Sequence, residues 1–482
     1  ELIACQHCVN GYHWNGRECA QCASIETTAV LFPMLPLVIC PAVIVLLYKF
    51  FGDPFHRWGT WQNSIAALSF ITLNHYQIID IVGGSNVPMP GSARSAFDVW
   101  AFTNNIASVF KTDCVGMADF TSMMVARGLY PVAAAFFCLV TFGISFLLSR
   151  LLRRSELQMQ RDRLLNVFGS IMFSFFSAIA ASSLLLFKCS SNPNGKKTLT
   201  TDLSIICFES DEWKKMVGVG VVFVLVYIFG MGGLFVRTVI VAPKYFHDPG
   251  FQMRWKFLFI KFRSDVYWWG VVFLAKNFLV NLAFVAAVAG LAQLYFTMTV
   301  TVAYMGGVIL LLPYRARIAN LLEVLAGTSI LYVCSLLTWH ADHDNGEHDA
   351  GVAWATIIIS ISPVVFGVFS AGWVYWYGTA IPFTVTEVSR AEREFRLIKR
   401  SMEALVVLDA SAGSNMLLRL GEWDRWYLSA AAAALRTDVV GGGPHNSFRV
   451  VDTQLQEDMG KVLSEAKTRQ SNRVGAANTI VV

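Results

Sequence analysis

Residues 266–312 read VYWWGVVFLAKNFLVNLAFVAAVAGLAQLYFTMTVTVAYMGGVILLL, and Lys276 is the sole charged side chain in the stretch. Its two segments, 266–289 and 291–312, are each long enough to cross about 30 Å of hydrocarbon. Strand-like alternation is absent, and backbone groups cannot stay unpaired in lipid, so both segments must be helices. Similar runs at 27–51, 61–82, 122–149, 164–187, 215–242, 318–339 and 351–379 bring the expectation to roughly nine spans.

The whole chain agrees with this reading. Its 482 residues are 55% hydrophobic and only 15% charged, with a mean hydropathy of +0.51. A soluble domain carries about 25% charged residues, so a water-soluble enzyme and a disordered chain are both excluded. The fold class expected is an all-α polytopic membrane protein. The net charge of +5 reflects short basic clusters between apolar runs, which is a topology signal and not a nucleic-acid footprint. The chain starts at Glu1 and shows no signal-peptide pattern, which suggests the membrane end of a longer or processed protein.

Orientation follows from Lys and Arg. Arg150, Arg153, Arg154, Arg161 and Arg163 follow the third span, Arg237, Lys244, Arg254, Lys256, Lys261 and Arg263 the fifth, and Arg315 and Arg317 the seventh. These loops are expected in the cytosol. Residues 1–26 then lie outside as a Cys-rich segment, 27–380 form the membrane domain, and 381–482 form a cytosolic tail. Lys196, Lys197, Lys214 and Lys215 sit in a loop placed outside and run against the rule. In the tail, Val388, Phe395, Ile398, Met402 and Leu405 recur at helical spacing, as an amphipathic helix at the membrane face or a plain cytosolic helix would.

Cys5, Cys8, Cys19 and Cys22 form two Cys-x-x-Cys pairs. This spacing suits tetrahedral zinc in a reducing compartment. On the outer side thiols oxidise, so two disulfides are the preferred reading, with the pairing open. Cys189 and Cys207 flank a second outer loop and are expected to form a disulfide. Cys114 is a lone candidate, and Cys40, Cys138 and Cys334 are read as apolar span residues.

Charges inside spans are the sharpest functional clue, because each is costly in lipid unless paired or wet. Lys276, with Asn277 beside it and Asn281 about one turn beyond, lies in the sixth span; Glu323 lies in the first turns of the eighth. Those two spans run the same way, so a Lys276–Glu323 pair is expected to face the bundle interior, as a static bridge or as part of a gate. Asp80, with His75 and Asn74, is expected near the outer end of the second span, at a vestibule or the interface. The outer loop carrying His340, Asp342, His343, Asp344, Glu347, His348 and Asp349 is rich in metal-ligating types. It fails the calcium-loop signature, since Gly346 falls where the third ligand belongs, and reads as a solvated acidic turn or a metal site. Tyr267, Trp268 and Trp269, and Trp373, Tyr375, Trp376 and Tyr377, read as interfacial anchors. Pro131 and Pro363 are candidate helix breaks. No phosphate loop, His-Glu-x-x-His helix or Gly-x-Ser-x-Gly elbow occurs, so neither an enzyme nor a cofactor is expected.

Several motifs in this order resemble those of protist, algal and oomycete membrane proteins with a TRP-like (transient receptor potential-like) C-terminal domain, distantly polycystin-like. They are Tyr76-Gln77 followed by Asn86-Val87-Pro88-Met89-Pro90, then Asp202-Leu203-Ser204-Ile205-Ile206-Cys207, Tyr267-Trp268-Trp269 with Lys276 behind it, and Pro313-Tyr314 followed by Asn320-Leu321-Leu322-Glu323. An ephrin-receptor-like (EGF-like) Cys-rich repeat precedes the first span in that family, as Cys5 to Cys22 do here. Met89 stands where the family has Trp, and Gly270 where it has an acidic residue. The resemblance implies a cation channel or channel-like subunit, calcium-permeable and mechanically gated, in a plasma, ciliary or internal membrane. Its partners would be membrane lipids, inorganic cations, further copies of the chain or neighbouring proteins, and no nucleic acid. The competing reading is a non-conducting anchor that displays a larger outer domain. A lipid scramblase or solute transporter is a third class, and it would need broken helices or a lipid-open groove.

Overall fold

A computed structural model describes residues 12–14, 19–21, 25–52, 61–87, 97, 103–104 and 120–377, apart from 193–194, 201, 203, 246–247, 264–265 and 343–348. The chain divides into two compact units: Glu1–Phe55 with Gln62–Trp373, and His56–Trp61 with Val374–Val482. Of the second, Trp61 and the end of the last helix are described, and there the Trp61 and Tyr375 rings meet edge to face at 5.3 Å.

The first unit is a helical bundle. Its elements are a small antiparallel pair, β1 (Tyr12–Trp14) and β2 (Cys19–Gln21), then α1 (Ile25–Phe50), α2 (Trp61–Gly83), α3 (Phe120–Gly128), α4 (Tyr130–Leu151), α5 (Arg161–Ser174) and α6 (Phe176–Ser183). A hairpin of β3 (Cys189–Ser191) and β4 (Lys197–Leu199) follows, then α7 (Asp211–Phe223), α8 (Gly232–Tyr245), α9 (Pro249–Phe259), α10 (Trp269–Ala286), α11 (Gly290–Leu311), α12 (Arg317–Asp342) and α13 (Asp349–Tyr377).

Among the described residues, seven helices are long and apolar enough to cross a membrane, and eight if α5 and α6 count as one span bent by 59°. A ninth span is not shown among them. α1 is helical, but its described side chains, Leu37–Phe50, make only a shorter apolar stretch. The helices show three local features. The fourth span breaks at Phe175, where the backbone leaves helical geometry. The fifth passes through a π-helical stretch, Val224–Met231, between α7 and α8. Pro363 lies inside α13 without ending it, and Pro131 occupies the first turn of α4, where no amide partner is lost.

Exposure sorts the spans into central and peripheral ones. In α2, 67% of the apolar window is buried, against 17% in α4. Leu139 and Leu147 of α4, 69% and 59% exposed, face outward as lipid-contacting residues would. A core of Ile78, Ile79, Val82, Val280, Leu294, Val333 and Leu337 joins α2, α10, α11 and α12. Gly290 opens α11 directly against the Asn86 backbone, and any side chain there would collide with it. Gln293 fixes the same junction, accepting from the Asn86 amide at 3.1 Å and donating to Ala287 O at 2.8 Å.

The basic loops gather at the opposite end from that junction. Arg163 stacks on Tyr48 at 4.4 Å, Lys256 reaches Phe51 O, Arg254 pairs with Asp162 at 2.9 Å, and Arg315 donates to Phe262 O at 3.1 Å. Trp213, Met216, Leu186, Leu199 and Ile205 pack around the other loop, closed by a Cys189–Cys207 disulfide. Chain entropy assigns such a closure about 3 kcal/mol. Cys40, Cys138 and Cys334 are free thiols, the last two buried. Cys5, Cys8, Cys22 and Cys114, the side chain of Cys19, and the tail helix expected at 385–408 lie outside the described residues.

Candidate functional site

Three helices bring their buried faces to one point. On α2 the buried residues Asn63, Ala67, Phe70, Asn74 and Gln77 recur every three to four positions, the spacing of one helical face. On α10 the same spacing buries Phe273, Lys276, Asn277, Val280, Asn281 and Phe284. On α12 it buries Ala319, Glu323, Ala326, Ile330, Val333 and Leu337. Lys276 and Glu323 therefore cannot point into lipid, and each side chain is only 6% exposed.

Lys276 Nζ lies 3.5 Å from Glu323 Oε1 and donates to Asn74 Oδ1 at 2.7 Å. The ammonium also sits over the Tyr304 ring at 4.3 Å and the Phe273 ring at 4.9 Å. Tyr314 donates to the other Glu323 oxygen at 3.0 Å, and Trp269 Nε1 donates to the Tyr304 hydroxyl at 3.2 Å. Burial and the neighbouring Glu323 carboxylate hold the Tyr314 phenol well above its usual pKa, so it stays a donor. Asn320 clamps the Tyr314 backbone from both sides, at 3.0 Å to its nitrogen and 2.7 Å to its oxygen. A cavity of about 10 Å³ lies beside the pair, bordered by Asn74, His75, Thr301 and Tyr304. That is room for about one water.

The polar residues continue away from the pair. Asn74 donates to Asn277 Oδ1 at 2.9 Å, and Asn281 donates to Ser177 O at 3.3 Å and to Asn277 O at 3.0 Å. Ser177 is the second residue of α6, just past the break at Phe175. Both side-chain polar atoms of Gln77, Asn277 Nδ2 and Asn281 Oδ1 are buried without a partner among the described residues. Farther along, Asn104 donates to Asp80 Oδ2 at 2.8 Å. Lys188 is half-buried and sits over the Phe284 ring at 5.7 Å. Its burial pulls the pKa down to about 8, while the charge of Asp80 opposes that pull.

Two further buried lysines, Lys256 and Lys261, lie at the basic end. Lys261 is 5% exposed, and its Nζ has no hydrogen-bond partner among the described residues. It rests 3.6 Å from the Phe70 ring centroid and 5.2 Å from that of Phe173. Burial alone pulls its pKa down to about 7.

Trp269 departs from the reading of its cluster as an interfacial anchor. It is 2% exposed and belongs to the network through Tyr304, whereas its neighbour Trp268 is 38% exposed. Trp373, Tyr375 and Trp376 are exposed at 52–80% near the end of α13, as anchors are. Of the expected metal ligands, His340 is buried at the end of α12, while the side chain of Asp342 and residues His343, Asp344, Glu347 and His348 lie outside the described residues. No group of three metal-ligating side chains occurs among the described residues.

No family model matches this chain, and neither a curated protein nor a solved structure does.

Proposed function

We propose that this polytopic membrane protein is a cation channel or channel-like subunit whose route runs along the buried polar residues of α2 and α10 and past Glu323 of α12. The observation that carries the reading is the set of partnerless buried atoms on Gln77, Asn277 and Asn281, in line with the Lys276–Glu323 pair. Buried polar groups are almost always hydrogen-bonded. Left dry they only cost stability, whereas a hydrated state gives each one a partner. Two further features support it: the broken helix that meets Asn281 at Ser177, and the π-helical stretch, both common at functional sites in membrane bundles.

In this conformation the route is closed, since the cavity beside the pair admits about one water. Lys276 repels cations unless Glu323 neutralises it, so opening requires the pair to stay together at the wall of the route and not across it. The resemblance to TRP-like membrane domains supports calcium permeability and mechanical gating. The basic end of the bundle supports a cytosolic placement for that end, with the disulfide-closed loop and the N-terminus outside. Ion flux into liposomes holding the purified chain, with and without membrane tension, tests the reading. Flux that Glu323→Gln alters while the fold persists supports it, and no flux under either condition overturns it.

The second reading, a non-conducting anchor, is favoured by one observation. Lys276 is already matched by Glu323 and Asn74, as a static bridge would be. For an anchor, Glu323→Gln lowers thermal stability and no variant conducts.

A further inference from the structure

A groove of about 310 Å³ lies between α8 and α9 at the basic end of the bundle. Arg237 stands in its wall, exposed, and no acidic or hydrogen-bonding partner reaches it among the described residues. The acids nearby are engaged elsewhere. Asp248 caps α9 by accepting from the Gly250 and Phe251 amides at 3.0 and 3.3 Å, and Asp162 is paired with Arg254 at 2.9 Å. Leu234 and Ile240, on the same helix as Arg237, are 49% and 60% exposed, so this surface faces lipid. An unpaired arginine on a lipid-facing surface is costly unless it finds an anion.

The length of the span sets the depth at which that anion must lie. Asp211–Tyr245 covers 35 residues, about 50 Å at helical rise, or roughly 20 Å more than the hydrocarbon thickness. Centred in the bilayer, it leaves about 10 Å beyond the hydrocarbon at each end. Arg237 lies about 12 Å back from Tyr245 by the same rise, which puts its backbone at the hydrocarbon edge, and its long side chain reaches outward from there to the lipid phosphates. Trp255, in the opposite wall of the groove, is a residue type that favours this level. The guanidinium fork suits a phosphate better than an ammonium does, and the surrounding cluster of Lys and Arg favours a lipid of net negative charge.

We infer that the groove between α8 and α9 is a binding site for the phosphate headgroup of an anionic phospholipid, held by Arg237 with its acyl chains along the exposed face of α8. The site depends on the chain lying in a membrane and not on conduction.

The test uses the full chain in neutral detergent, titrated with short-chain phosphatidic acid, phosphatidylcholine of equal chain length, and inorganic phosphate. Tryptophan fluorescence and the thermal midpoint are the readouts. Phosphatidic acid is expected to bind saturably, Arg237→Gln to weaken it about tenfold or more, and Arg237→Lys to recover part of the loss. Arg154→Gln, at an exposed arginine away from the groove, leaves binding unchanged. Arg237 has no partner to lose, so helicity and elution volume of the variants match the parent. Equal binding of phosphatidylcholine makes the groove merely apolar, and equal binding of inorganic phosphate makes it a free-anion site. Either result, or affinity unchanged in Arg237→Gln, overturns the proposal.

Discussion

Two buried lysines, Lys276 and Lys261, are equally hidden from solvent and are compensated in opposite ways. Lys276 has a carboxylate at 3.5 Å and an amide oxygen at 2.7 Å, whereas Lys261 has only the faces of Phe70 and Phe173. Ion pairing inside a protein locks both partners, because removing either strands the other. An aromatic face returns only about 0.5–2 kcal/mol and leaves the ammonium free to lose its proton. The first arrangement gives each charge a partner, and the second makes a charge conditional.

The largest expected effect breaks the paired side of this contrast. Glu323→Gln leaves Lys276 with Asn74 and two ring faces but no counter-charge, and a dry pair then loses about 3–5 kcal/mol of stability. A double change, Lys276→Met with Glu323→Leu, removes both charges and is expected to recover most of that loss, because replacing a buried pair by apolar groups is near neutral. Thermal unfolding of the single and double variants measures the coupling. Additive losses in the two single variants would show that the pair does not act as a unit, and unchanged stability with altered flux would place it on a wet route.

Lys261 gives the next effect, through pH. Its pKa near 7 in the fold lies below the value of about 10.4 for a free lysine. Between those values the unfolded chain binds the extra proton, so stability rises with pH from about 7 to about 10 and is flat below 7 with respect to this group. The gain is about 4–5 kcal/mol. Lys261→Met is expected to raise the thermal midpoint at pH 6 and to flatten the rise. Lys188, with its pKa near 8, contributes a smaller rise that remains in the variant. An identical pH profile in Lys261→Met and parent would remove Lys261 from the contrast.

The two lysines also differ in how much the sequence discloses about them. Lys276 stands alone in an apolar run, so its cost in lipid marks it directly, and Glu323 is the acid at a compatible depth on a parallel span. Helical spacing puts Asn277 and Asn281 near Lys276. What spacing cannot show is the partner on a third helix, and Asn74 was legible only as part of a polar patch near Asp80. Trp269 was hidden for the same reason: a Trp pair at a span end has the composition of an anchor, and only packing against Tyr304 on α11 turns it inward. Lys261 gave no signal at all. It sits in a basic loop among residues that mark topology, and its two aromatic neighbours lie about 190 and 90 positions earlier in the chain. The helical class was legible from the apolar runs, while the bend at Phe175 and the π-helical stretch carry no proline to announce them.

The smallest effect isolates the aromatic compensation itself. Phe70 supplies the nearer face to Lys261 and also packs against Phe173 at 5.3 Å and Phe273 at 4.5 Å. Phe70→Leu therefore loses packing at every pH and loses the cation–ring attraction only where Lys261 carries its proton. Below pH 7 both losses count; near pH 9 the folded lysine is neutral and only packing counts. The destabilisation measured by thermal unfolding is expected to be larger at pH 6 than at pH 9 by about 1 kcal/mol. Removing the ring also lowers the folded pKa further, so the rise in stability with pH begins earlier in the variant. An equal loss at both pH values would mean that the ring serves Lys261 only as an apolar wall, and the two lysines would then differ in pairing alone.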